Sequence, residues 1–386
     1  MNSLSSAQKF LDRIDGKNIN FLIGAGASSD YLNSLKVGSK KESIEDIYTK
    51  THSDFIKSLI NFYFFDVSVK KGFVQYENKS NTAIDEKNKL DTVFYGYKTF
   101  VLNIIQLLNN SGFEKPKRAN IFTTNYDTFF ETVFDEIAIH KPLVVFNDGS
   151  QGFFKREVSY KNYYFNVVHS GTDDYFRREI PSINLYKLHG SLTWKYDNEK
   201  RLILSSFSEE SIKELSGISN SITSILNHDF KEKMEKTDNV LQYLENIKQT
   251  ENLVEKLSDF NDKYADLLIV SPTKKKFEQT VFENQYYQLL RAFTNEMEKD
   301  NTVLIVMGFS FKDEHIRDII RRSQYNPTLQ IFIVPFSEED KIYMDEAMGS
   351  FNNITFLCKY NNSSKTDMKD GKMDILNEFL SGNDNE

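Results

Sequence analysis

"INFLIGAGAS", Ile19 to Ser28, decides the fold. Its opening is a short, nearly continuous apolar run, and it breaks into a turn carrying two glycines. An apolar run without polar alternation predicts a strand covered on both faces, as in a parallel sheet. Five similar runs follow: "RANIFTTN" (118–125), "INLYKLHG" (183–190), "DLLIVSP" (266–272), "TVLIVMGFS" (302–310) and "LQIFIVP" (329–335), with a weaker seventh run in "NITFL" (353–357). Helical patterns come after most of them, such as "DTFFETVFDEIA" and "DEHIRDIIRRS". Strands alternating with helices predict an open, mostly parallel, Rossmann-like α/β sheet flanked by helices.

Two stretches depart from that rhythm. Residues 40–115 and 206–261 read as helices and are expected to be insertions on a single sheet domain spanning 1–386. The first contains "DFIKSLINFYFFDV", which is apolar enough either to pack on the sheet or, if exposed, to serve as a subunit contact. "MNSLSSAQKFLDRIDG" reads as a short amphipathic helix without a signal-peptide core. The tail "SGNDNE" is expected to fray. The net charge of −8 argues against a broad basic surface and so against nucleic acid as the main ligand. The single cysteine, Cys358, excludes an intrachain disulfide and a multi-cysteine zinc site, and fits a reducing cytoplasm. No apolar run reaches the roughly 20 residues that span a bilayer. The expectation is a cytoplasmic protein with no metal and no membrane contact.

The chemistry-bearing residues fall where the runs end. Gly24 and Gly26 permit a sharp turn, and a helix beginning near Ser28 would aim free N–H groups at a phosphate. The third glycine of the full dinucleotide fingerprint is absent. "TTNYD" sets Asn125 and Asp127 at a second strand end, and the spacing of Thr124 and Asp127 predicts a helix start there. His189, Gly190 and Ser191 close a third strand. Gly308 and Ser310 close a fourth, where Ser310 and Asp313 again have capping-box spacing. His315, expected in the first turn of that helix, reads as structural. The carboxyl edge of an open α/β sheet is where ligands bind, so four such ends on one rim suggest a nucleotide crevice. Neither HExxH nor His-x-His occurs, and no G-x-S-x-G elbow supports a serine triad.

"GAGAS", "TTNYD", "KLHGS" and "GFSFKDEHI", in that order, resemble the sirtuin (silent information regulator) superfamily, most of all its bacterial branch of antiphage NAD-hydrolysing effectors. The resemblance covers about 17–39, 118–205 and 266–340. It implies that Gly24, Ala25, Gly26 and Ser28 line the NAD phosphates and that Asn125 holds the nicotinamide ribose and a water. It further implies that Asp127 lies near the nicotinamide pocket, that His189 is the base, and that Gly308 and Ser310 meet the adenosine-side ribose and phosphates. Protein-deacylating sirtuins carry four zinc-binding cysteines and a proline-aspartate-phenylalanine-arginine loop. This chain has one cysteine, and "SDYLNSLKVG" stands where the loop would be.

These residue types suit cleavage of NAD. Nicotinamide leaves a cationic pyridinium as a neutral molecule, so no acid need protonate it, unlike ordinary glycoside hydrolysis. An amide orients ribose hydroxyls and water without adding charge, and a histidine is a suitable base near neutral pH. The expected function is NAD hydrolysis to nicotinamide and ADP-ribose in antiphage defence, by a homo-oligomer. Such a reaction must be gated, and little chain remains for a sensor. The resemblance implies a HerA-type ring ATPase as the partner that supplies the trigger. The alternatives are a non-catalytic NAD- or ADP-ribose-binding or scaffold subunit of a DNA-processing complex, and a protein deacylase.

Overall fold

The computed structural model describes residues 2–32, 36–74, 84–112, 117–141, 143–172, 177–199, 203–227, 229–270, 284–349, 351–361 and 368–382. Eight strands make the central sheet: β1 (Ser3–Leu4), β2 (Asn18–Ile23), β3 (Arg118–Thr123), β4 (Val145–Asn147), β5 (Ser182–Lys187), β6 (Thr302–Met307), β7 (Gln330–Val334) and β8 (Ile354–Leu357). Their spatial order is β1-β8-β7-β6-β2-β3-β5-β4, and every pairing is parallel. The fold class read from the sequence is therefore the one observed.

Strand alternation divides the core. Phe21, Ile23, Ile121, Leu185, Ile305 and Phe332 face helices α1 (Ala7–Ile14), α4 (Ile84–Asn110), α5 (Phe129–His140) and α13 (Met373–Ser381). Leu22, Phe122, Tyr186, Leu304 and Ile333 face α10 (Asn284–Glu298), α11 (Glu314–Ser323) and α12 (Glu338–Met348). With both faces covered, nearly every position of these strands can be apolar, which is why the runs do not alternate.

Four asparagines interrupt the apolar rows in register. Asn20, Asn120, Asn184 and Asn147 pair across β2, β3, β5 and β4. The Asn120 amide nitrogen donates to Asn20 Oδ1 at 2.8 Å, Asn184 to Asn120 at 2.9 Å, and Asn147 to Asn184 at 3.2 Å. Each buried amide thus finds its partner in the next strand, as buried polar groups must.

The remaining helices form a third core. α2 (Ile44–Lys50) and α3 (Asp54–Phe64) pack with α6 (Glu210–Leu226), α7 (Phe230–Lys236), α8 (Val240–Glu245) and α9 (Glu251–Tyr264). Phe62 meets Phe230 and Phe260 edge-on or tilted, with ring centres about 6 Å apart. The apolar stretch "DFIKSLINFYFFDV" is consumed in this contact: Ile56, Leu59, Ile60, Phe62, Phe64 and Phe65 are buried within the chain. It packs on the other helical stretch and not on the sheet, so it offers no exposed patch for a subunit contact. α4, by contrast, lies on the sheet itself.

Four further expectations are corrected. The run at 266–270 is not a sheet strand, and Ser271 and Pro272 lie outside the described residues; Ile269 makes one isolated antiparallel bridge to Gly190. The sharp turn after β2 is a single 3₁₀ turn, Ala25–Ser28, and no α-helix starts at Ser28, because Gly24 and Gly26 donate their N–H groups to Met307 and Gly308 of the neighbouring strand end. Helix α5 begins at Phe129, not after Thr124; its first N–H is taken by Asp127. Helix α11 is capped by Asp313, whose Oδ1 accepts from His315 and Ile316, and Ser310 takes no part. The last four residues of "SGNDNE" lie outside the described residues. No helix among the described residues is long and apolar enough to cross a membrane.

Candidate functional site

The register sets the site. Met307, Ile23, Thr123 and Lys187 stand in one row across β6, β2, β3 and β5. The residues that follow them, Gly308, Gly24, Asn125 and His189, therefore emerge along one carboxyl edge.

The first contact is backbone on backbone. A Cβ on Gly24 would lie 2.5 Å from Gly308 O, and one on Gly26 2.8 Å from Gly308 Cα. Gly308 itself has φ +67°, in the left-handed region, and a Cβ there would lie 2.5 Å from Ala27 N. This close packing by itself accounts for all three glycines. Ala25 and Gly26 remain exposed at the turn, as does Ser310, while Ala27 and Ser28 are buried.

Asn125 is 5% exposed. Its amide nitrogen donates to Gly24 O at 3.2 Å and to Tyr97 Oη at 3.4 Å. A carbonyl can only accept, which fixes the amide's orientation. Among the described residues, the buried Asn125 Oδ1 has no hydrogen-bond partner. Unsatisfied buried acceptors are rare in proteins, so this oxygen is a candidate to receive a ligand hydroxyl or a water.

Asp127 is 2% exposed, and Oδ1 accepts from Phe129 N at 3.2 Å. Burial pushes its carboxyl above the usual range, opposed by the Lys187 ammonium, the Phe129 N–H and the Ser28 hydroxyl. Ser28 also meets Tyr97, joining the glycine turn to this acid. Lys187 donates to the Asp127 carbonyl and pairs with Glu131 Oε1 at 3.2 Å, with both side chains buried. Burial pushes the Glu131 carboxyl up to about 6 despite Lys187, and its Oε2 has no hydrogen-bond partner among the described residues.

His189 lies two residues beyond β5. Its carbonyl accepts from Val270 N at 2.8 Å, and a Cβ on Gly190 (φ +84°) would collide with Leu268 O. The segment at 268–270 thus braces the turn. His189 Nε2 lies 3.1 Å from Asp313 Oδ2.

The structure joins Gly24 to Asn125, Gly26 to Gly308 and Ser28 to Asp127. Ala25 and Ser310 stand apart as exposed residues. Tyr97, Glu131 and Lys187 were not singled out from the sequence, and Asp313 was read only as half of a capping pair, yet all four touch this cluster. The signal for Lys187 was present: a charge inside a six-residue run that is otherwise fit for burial. Among the described residues no group of three His, Cys, Asp or Glu side chains could hold a metal ion. A cavity of about 380 Å³ lined by Thr294, Ile319, Arg322 and Tyr325 includes none of the predicted site residues.

No curated protein matches the chain. Residues 119–237, which carry Asn125, Asp127 and His189 but neither the Gly24 nor the Gly308 turn, match the family model of the SIR2-like domain, and this match supports a place for the chain in the sirtuin-like superfamily.

Proposed function

We propose that this chain is an NAD glycohydrolase of antiphage defence, releasing nicotinamide and ADP-ribose. SIR2-like domains use NAD as a substrate, and the NAD-related character follows from the matched domain. The observation that carries the proposal is the buried Asn125 Oδ1, without a hydrogen-bond partner among the described residues, beside the glycine turn at the carboxyl edge of the sheet. An acceptor held there can receive a ribose hydroxyl or the attacking water.

In the proposed step the water oxygen bonds to the ribose carbon. The carbon–nitrogen bond breaks, and its electron pair neutralises the pyridinium, so nicotinamide leaves without an acid. The water's proton passes to His189 and then to solvent. Asp127, close under the turn, accepts from the carboxamide of nicotinamide, and Gly24, Ala25, Gly26, Ser28, Gly308 and Ser310 form the dinucleotide-binding rim. The single cysteine cannot build the four-cysteine zinc site of deacylating sirtuins.

Gating is part of the proposal. Asn125, Asp127 and Ser28 are nearly inaccessible, so a dinucleotide reaches them only after some part of the chain moves. We assign that opening to assembly as a homo-oligomer and to a partner, a HerA-type ring ATPase, on the strength of the resemblance. The test is nicotinamide release from NAD by the purified protein with and without that partner. NAD binding without release in either state would favour a non-catalytic nucleotide-binding subunit. Release that requires an acetylated peptide would favour a deacylase.

A further inference from the structure

We infer that Asp313 is the positioning residue for His189: it holds the imidazole proton on Nε2, so that Nδ1 carries the lone pair that accepts a proton. The inference rests on the reading of His189 as the base and deepens it to a named atom. In the sheet, β5 and β6 are separated by β3 and β2. Three strand spacings amount to about 14 Å. The residues beyond these two strands nevertheless meet at 3.1 Å. The contact therefore bridges the ends of β2 and β3, the strands that present Gly24 and Asn125.

The chemistry of the pair fixes the tautomer. A carboxylate only accepts, so a hydrogen bond across this 3.1 Å contact requires the proton on Nε2. Among the described residues Nδ1 has no hydrogen-bond partner. Asp313 also has a second, structural task on its other oxygen. Oδ1 accepts from His315 N at 3.2 Å and from Ile316 N at 3.4 Å, capping α11. The two tasks can be separated, because Asp, Asn and Ser are all good N-caps.

Asp313→Asn keeps an oxygen on the cap and turns an N–H₂ toward His189. Nε2 must then accept, and the proton is forced onto Nδ1. Asp313→Ser keeps the cap and leaves Nε2 without a protein partner. If Asp313 only caps α11, both variants behave as the parent. If it positions His189, kcat for NAD cleavage falls by about 100-fold or more in Asp313→Asn, because the tautomer is inverted, and by about 10- to 100-fold in Asp313→Ser, with KM and melting temperature little changed in both. Simple electrostatics predicts no loss and no order, since both variants remove the same negative charge and that removal favours an anionic dinucleotide; a loss with Asn worse than Ser therefore reports the tautomer. His189→Ala with Asp313→Asn should be no slower than His189→Ala alone, because two groups acting as one unit are not additive.

A second readout needs no activity. In ¹⁵N-histidine-labelled protein, the His189 ring, assigned by its loss in His189→Ala, should show a protonated Nε2 and an unprotonated Nδ1, and the two should exchange in Asp313→Asn. That pattern in a protein that never releases nicotinamide would refute the NAD-cleavage reading and leave the Asp313–His189 arrangement standing. A parental ring protonated at Nδ1 overturns the inference, and so does an Asp313→Asn variant that cleaves NAD at the parental rate.

Discussion

Replacing Lys187 with Met tests whether the buried charges under the site act as a unit. Methionine keeps the length and apolar stem of the lysine and deletes only the ammonium. Lys187 is 3% exposed and Glu131 8%, at 3.2 Å, with Asp127 beside them at 2%. Removing one member of a buried pair typically destabilises by about 3–5 kcal/mol, because the partner charge is left without compensation. Glu131 limits that figure. Its carboxyl is raised from 4.5 to about 6, a difference of about 2 kcal/mol between its two forms. A carboxyl raised on folding contributes stability that is complete below about 4.5 and is lost as pH rises through about 6. Without Lys187 the carboxyl rises further, so the variant's deficit should be about 3 kcal/mol at pH 7.5 and less than half of that at pH 5, where Glu131 is already neutral. Trp194 is the only tryptophan and is buried, so its fluorescence reports urea unfolding. Midpoints are the quantity to compare, since a chain with three packed clusters need not unfold in one step. Glu131→Gln added to Lys187→Met should recover most of the loss at pH 7.5. Equal midpoints for Lys187→Met and parent at pH 7.5, or the same shift at both pH values, would refute the argument.

Other substitutions probe the site directly. His189→Ala should lower the rate of NAD cleavage by about 10²–10⁴-fold with the fold retained; a folded variant with parental turnover removes His189 from the chemistry. Asn125→Ala should reduce kcat more than it raises KM, because a group that orients water and ribose acts most in the transition state. A raised KM with unchanged kcat would make Asn125 a binding residue only. Gly308→Ala should destabilise by more than about 1–2 kcal/mol, the ordinary penalty for a Cβ at positive φ, because that Cβ also meets Ala27 N. A circular-dichroism melt matching the parent's would show that the two turns are not locked together.

Strands β2, β3, β5, β6, β7 and β8 were legible because burial on both faces leaves an apolar signature in the chain itself. β1 and β4 span only two and three residues and leave no such signature. The run at 266–270 carried the signature and is buried, but it packs beside the His189 turn, not in the sheet. Composition reports burial and not what provides it. Both capping-box readings placed the helix start too early, because the acid of each pair lies just before the helix and accepts from its first turn: Asp127 from Phe129 N, Asp313 from His315 N. The packing of "DFIKSLINFYFF" on helices some 150 residues further along was beyond any local pattern. In the site, the strand-end residues could be read, whereas Asp313 as a partner of His189 depends on two strands lying three places apart, a fact of topology and not of spacing.

The asparagine row has a consequence for how this sheet finds its alignment. Nearly uniform apolar strands pack almost as well after a slip of two residues as in their native register, since such a slip returns every side chain to the same face. Hydrophobicity alone cannot tell these arrangements apart. The asparagines can. Moving β3 by two residues toward the carboxyl edge would set the Asn120 amide opposite Leu22 and Tyr186, at about 1–3 kcal/mol for each stranded group. It would also carry Asn125 about 6.6 Å from the glycine turn it bonds. The row acts as an error check on strand alignment. Because it sits on the same strands as the candidate site, a chain that satisfies it has set Gly24, Asn125 and His189 on a common edge before any substrate arrives.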